Sequence, residues 1–120
     1  MAQKLNHYRH TVTYLFANGA AGADLIQSKG IPFAGEILHI RQVNGLNTNA
    51  VTAQLEVVDN YGVVIHDGAA QAHNSSFDLE FVATRRILGG NDTLRCTISG
   101  DPGASGYKVD VVFSLFGRNG

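Results

Sequence analysis

Tyr8-Arg9-His10-Thr11-Val12-Thr13-Tyr14-Leu15-Phe16 decides the fold, because the residues at even positions from Tyr8 to Phe16 are aromatic, apolar or imidazole while mostly polar ones stand between them. A period of two is the mark of a strand with one face turned inward. The same alternation returns near the other end, at Tyr107, Val109, Val111, Phe113 and Leu115. Between these two stretches lie further short alternating segments punctuated by glycine-rich turns, and no segment has helical periodicity.

Val51, Ala53, Leu55 and Val57 alternate with Thr52, Gln54 and Glu56, which is the clearest half-buried strand of the chain. Asp59-Asn60-Tyr61-Gly62 then leads directly into Val63-Val64-Ile65. That spacing predicts a hairpin whose glycine takes the left-handed position. Pro32 lacks an N–H, so Ile31-Pro32-Phe33 is expected at a sheet edge or a bulge. From Gly35 to Val43 the apolar residues Ile37, Leu38, Ile40 and Val43 do not share one parity, and a bulge would reconcile them. Asn44-Gly45 reads as a turn. Phe77, Leu79 and Phe81 resume alternation against Asp78 and Glu80, Leu94, Cys96 and Ile98 follow, and Ser99 to Gly106 is a loop by its composition. About eight antiparallel strands emerge, and they suit an all-β sandwich of jelly-roll or related Greek-key type.

A chain of 120 residues and 12.8 kDa fits one domain, expected over residues 8–120 behind an N-terminal arm of residues 1–7. Charged residues make up 16% of the chain, below the roughly 25% usual for soluble proteins, so a surface suited to packing against other subunits is one reading and a turn-rich small β-protein is the other. The net charge of -1 carries no footprint for a phosphate backbone, and nucleic acid is not expected as a partner. No stretch has the length of a signal peptide core or of a membrane-spanning helix, so synthesis in the cytoplasm without membrane association is expected. Cys96 is the single cysteine. Alternation with Leu94 and Ile98 places it inward, where a thiol behaves as a small hydrophobe.

The chemistry of catalysis is not legible. His7 and His10 are separated by an odd step that points them to opposite faces of a strand, and His39, His66 and His73 stand alone, so no metal is expected. No serine sits in a G-x-S-x-G elbow, and Asp78 with Glu80 reads as a solvated strand face. Asp59 and Asn60 read as turn formers ahead of calcium ligands. No glycine-rich segment opens a helix that would cradle phosphate. Neither a cofactor nor enzymatic activity is expected. Tyr61 in its turn and Tyr107 beside the glycine-rich loop are the aromatic candidates for stacking on a sugar ring. Arg85-Arg86 is the basic doublet, read either as a solvated strand end or as a contact for an acidic neighbour.

Three phrases carry a family likeness: Ile31-Pro32-Phe33-Ala34-Gly35 leading into Ile37, Val51 to Gly62 with its Asp59-x-x-Gly62 turn, and Ser99 to Gly106 before a valine-rich last strand. Together they resemble small β-sandwich proteins of tailed-bacteriophage structural modules, including head decoration (cement) proteins and domains of tail or fibre proteins. The resemblance implies a non-enzymatic virion component made in the host cytoplasm. It would be a homotrimer on the capsid exterior that binds the major capsid protein and stabilises the shell. Small size favours a decoration protein over a fibre. Members of this kind grip neighbours with a terminal arm and with loops, which makes Lys4, His7, Tyr8, His10, Arg85 and Arg86 the candidate assembly contacts. The alternative is a receptor- or carbohydrate-binding domain of a tail or fibre, with Tyr61 and Tyr107 as glycan contacts. A hydrolase with a site assembled from distant residues is the third possibility.

Overall fold

The computed structural model describes the backbone of residues 4–80 and 86–119 and the side chains of residues 8–79 and 88–116. Among these residues the strands run β1 Lys4–Phe16, β2 Ile26–Ile31, β3 Ala34–Asn44, β4 Ala53–Val58, β5 Val64–Asp67, β6 Ser75–Glu80, β7 Arg86–Gly89, β8 Asp92–Ile98 and β9 Tyr107–Asn119. A 3-10 turn, Gly22–Leu25, precedes β2. One antiparallel sheet has the order β1-β9-β3-β6, with β7 also paired to β3, and the second has the order β2-β8-β4-β5. The protein is an all-β sandwich of these two sheets, as the alternation predicts.

β6 and β7 line the same edge of β3, β6 along His39 to Asn44 and β7 along Ala34 to Ile37. They act as one edge strand interrupted opposite Leu38. Residues 81–85, which include Phe81 of the expected strand, lie outside the described residues. When β6 and β7 are counted together, the hydrogen-bonded pairs nest: first strand with last, β2 with β8, β3 with the composite edge, and β4 with β5.

The core follows directly from the alternation. Tyr14, Phe16, Ala53, Leu55, Val57, Leu94, Cys96, Ile98 and the five alternating residues of β9 from Tyr107 to Leu115 are all buried. Each large apolar side chain taken from water contributes about 1.5–3 kcal/mol. The expected bulge is present: pairing of β3 with β9 shifts register between Ile37 and His39, so Ile37 and Ile40 are both buried although three positions separate them. Pro32 falls between β2 and β3, where the chain leaves one sheet for the other and no ladder N–H is required.

The Asp59 hairpin forms as expected. Asp59 N donates to Val63 O at 2.8 Å, and Gly62 takes φ +82°. The Asp59 carboxylate accepts from Tyr61 N and Val63 N, both at 2.9 Å, which explains an aspartate at the head of this turn.

The first strand differs from expectation at its start. Lys4 to His7, read as arm, pair with residues 116–119 of β9, and the ladder between the two strands runs without a register shift from Lys4 opposite Asn119 to Phe16 opposite Tyr107. β3 stops pairing with β9 at Phe116, so this end of the ribbon runs on as a two-strand ladder beyond the β3 pairing.

Asn44 and its neighbourhood also differ. Rather than opening a turn, Asn44 ends β3 with its side chain buried beside Gln42. Gln42 Nε2 donates to Asn44 Oδ1 and to Ala53 O, each at 3.0 Å, and Asn44 Nδ2 donates to Ala72 O at 2.8 Å. Buried Asn47 exchanges two hydrogen bonds with Val51. These amides join β3 to β4 and hold the 68–74 connection against the sandwich, alongside the backbone pairing of Ala53 with Gln71.

Candidate functional site

Five of the six expected assembly contacts have their backbone at one end of the sandwich. Lys4, His7, Tyr8 and His10 all lie in the first half of β1, and Arg86 in β7 stands opposite Ile37 of β3, one residue from the Glu36 opposite Phe116. Arg85 and the side chains of Lys4, His7 and Arg86 lie outside the described residues. Tyr8 and His10 face the interior side of β1 and are half-buried. The His10 ring stacks on Phe33 with centroids 4.2 Å apart, and Phe33 meets Phe113 edge-on at 5.4 Å. His10 therefore closes the core as an aromatic side chain, a packing role that its basic character conceals in the sequence.

Arg9, which sequence reasoning passed over, is exposed on the opposite face of the same strand. The usable signal was charge order: the first acidic residue of the chain is Asp24, and none follows Asp110 in β9. The β1–β9 ribbon from Lys4 to His10 and from Phe113 to Asn119 thus carries Lys4, Arg9 and Arg118 without an acid in either strand segment.

The two glycan candidates part company. Tyr61 is 88% exposed at its hairpin tip, beside a shallow groove of about 510 Å³ lined by Ser28, Asp59, Asn60, Asn91, Thr93 and Arg95. Tyr107 is only 3% exposed, which corrects its reading as a surface aromatic: it opens β9 opposite Phe16 on the inward face, so its ring joins the core. On the groove floor Arg95 is held by Glu56, with Nη2 at 2.9 Å and Nε at 3.0 Å from the same carboxylate oxygen. Asp78 is half-exposed between His39 at 3.1 Å and Arg41 at 3.5 Å, a cross-strand cluster on a solvated face.

Asp101 ties loops together at the end opposite the basic ribbon. Its Oδ1 accepts from Gly19 N at 2.8 Å and from Gly103 N at 2.9 Å, and these donors hold its carboxyl below the usual carboxylate range. Gly103 (φ +92°) leaves no room for a side chain, since a Cβ there would lie 2.7 Å from Thr48 Cβ.

Two phenols and a thiol, those of Tyr14, Tyr107 and Cys96, share the interior. Burial pushes the Cys96 thiol up to about 12. Burial first, and Cys96 second, push the Tyr107 phenol up to about 12 and raise Tyr14 further. Tyr14 Oη donates to Leu94 O in the facing sheet, whereas Tyr107 Oη is buried without a hydrogen-bond partner among the described residues. Folding favours the protonated form of all three. Their contribution to stability is complete below the unfolded-state values, 9.0 for the thiol and 10.0 for the phenols, and is lost as pH rises toward the folded values. Denaturant midpoints are therefore expected to fall steadily from about pH 9 to pH 12. A stability that stayed level to pH 11 would contradict this burial.

Among the described residues no three His, Cys, Asp or Glu side chains come together as metal ligands, and no helix is long and apolar enough to cross a membrane. No protein-family model matches the chain, and no curated protein matches it in sequence.

Proposed function

We propose that this chain is a non-enzymatic structural protein of a tailed-phage virion, a capsid decoration protein that binds the outer shell as a homotrimer and stabilises it. The observation that carries the proposal is the acid-free end of the β1–β9 ribbon, where the pairing of the first and last strands brings Lys4, Arg9 and Arg118 together. Two further features agree with it. We read the nested strand pairing as a jelly roll, an architecture that serves viral capsids and lectins among others. Three linked copies would also turn one modest contact into a durable attachment through effective concentration.

The test is sedimentation of the purified chain alone and with undecorated capsids of the phage that encodes it. A species of about three times 12.8 kDa and saturable capsid binding are expected. A monomer at micromolar concentration that ignores those capsids overturns the proposal.

The exposed Tyr61 beside the polar groove supports a second reading, a carbohydrate-binding domain of a tail or fibre. Saturable glycan binding that Tyr61→Ala abolishes, without capsid binding, would favour it.

A further inference from the structure

We infer that the open edge of β1, between Leu5 and Thr11, is a strand-addition site for an extended, acidic segment of another protein. The inference names the contact made by the basic end described above, but it needs only a partner strand and not a virion.

β1 is the outermost strand of its sheet. Which of its backbone groups face outward follows from two contacts. Lys29 Nζ donates to Thr13 O and Gln27 Nε2 donates to Leu15 O, both side chains arriving from β2 in the facing sheet. Independently, Lys108, the β9 residue opposite Leu15, gives its carbonyl to Gly45 N on the β3 side. In an antiparallel ladder outward-facing residues alternate with ladder-bonded ones. Because the β1–β9 register is unbroken, the N–H and C=O of Leu5, His7, Arg9 and Thr11 face the same open side as those of Thr13 and Leu15.

The edge is therefore closed selectively. Side chains of β2 cap the carbonyls at Thr13 and Leu15, while Arg9 and Thr11 are exposed with no capping side chain among the described residues. From Leu5 to Thr11 the edge spans about 20 Å, contains no proline and has no bulge, two of the devices that blunt such an edge.

Charge selects the occupant. Lys4 and Arg9 carry the charge of this stretch, with no acidic residue before Asp24. A second copy pairing edge to edge would set these cations against the same cations, and like charges on neighbouring strands repel. A strand with Asp or Glu at the alternate positions that share the exposed face of Arg9 meets both the backbone groups and that charge. Main-chain hydrogen bonds then supply affinity and the cations supply selection.

The probe is a capped ten-residue peptide of alternating glutamate and valine, with the lysine–valine peptide as its counterpart, followed by amide hydrogen exchange and NMR titration at low salt. The glutamate peptide is expected to slow exchange at Leu5, His7, Arg9 and Thr11, to leave the ladder-bonded residues between them unchanged, and to bind at least tenfold more tightly than the lysine peptide. Thr11→Pro removes an outward N–H and no β1–β9 hydrogen bond, so it should abolish binding while thermal unfolding stays cooperative. Arg9→Glu, a surface change that preserves the backbone, should weaken binding about tenfold. Equal binding of the two peptides, no protection at millimolar peptide, or concentration-dependent protection of the same amides in the chain alone would each overturn the inference. The last result would assign the edge to a second copy. Failure of the capsid experiment with success here would leave the edge site standing and remove the virion reading.

Discussion

Phe113→Ala is expected to cost about 3–5 kcal/mol of folding stability, the largest loss from any single side chain considered for this protein. Phe113 is fully buried in the middle of β9, with His10 of β1 opposite it on one side and Ile40 of β3 on the other. Its ring also meets Phe33 edge-on, and Phe33 in turn carries the His10 stack. Truncation removes the apolar transfer term, leaves a cavity bounded by paired strands that cannot collapse, and loosens the aromatic run toward the basic end. Small domains hold about 5–15 kcal/mol in total, so the variant should unfold at much lower denaturant or fail to accumulate. Equilibrium denaturation checks this. A midpoint shift worth less than about 1 kcal/mol would mean that Phe113 is not buried between β1 and β3.

Asn44→Ala is the second large effect and acts by a different mechanism. The buried Asn44 side chain receives Gln42 Nε2 at 3.0 Å and reaches Ala72 O at 2.8 Å and Gln71 O at 3.3 Å. Alanine removes all three contacts, while Gln71 O keeps Ala53 N, Ala72 O keeps the Ser75 hydroxyl and Gln42 Nε2 keeps Ala53 O, so the cost is that of the lost hydrogen bonds, about 0.5–1.5 kcal/mol each. The loss should be local in its first appearance. Amides of the 68–74 connection and of β6 are expected to lose hydrogen-exchange protection before the rest of the sandwich does. Gln42→Ala combined with Asn44→Ala should cost less than the sum of the single changes, because the two amides share one network. Strict additivity, or unchanged protection of the 68–74 segment, would show that this connection is held by something else.

Both variants act on features that the chain discloses unequally. Phe113 is legible, since alternation from Tyr107 to Leu115 assigns it to the inward face. Asn44 is not. An Asn-Gly pair has strong turn chemistry, and nothing within a few residues shows that carbonyls from 71 and 72, far along the chain, will stand beside it. The bulge at Leu38 is legible as a break in parity. β7 is not, because its pattern is short and its strand character comes from pairing with β3. Tyr107 belongs to both groups: its parity points inward, while its position beside a glycine-rich loop suggested a surface aromatic, and parity prevailed.

The candidate interface follows the same division. The cations of the first ten residues stand in the sequence, but their joint location with Arg118 depends on the ribbon that brings the two ends of the chain together. Lys29 and Gln27 carry no local sign that they cap Thr13 O and Leu15 O. That role exists only because β2 edges the facing sheet.

Alternation and turn chemistry, both properties of a few neighbouring residues, determined by themselves that this chain forms strands, where its clearest hairpin turns, and which side chains of β4, β8 and β9 face inward. Tertiary structure alone decided which strands are neighbours, which edge stays open and which amides are buried. Those outcomes depend on contacts between residues far apart in the chain, which no local pattern encodes.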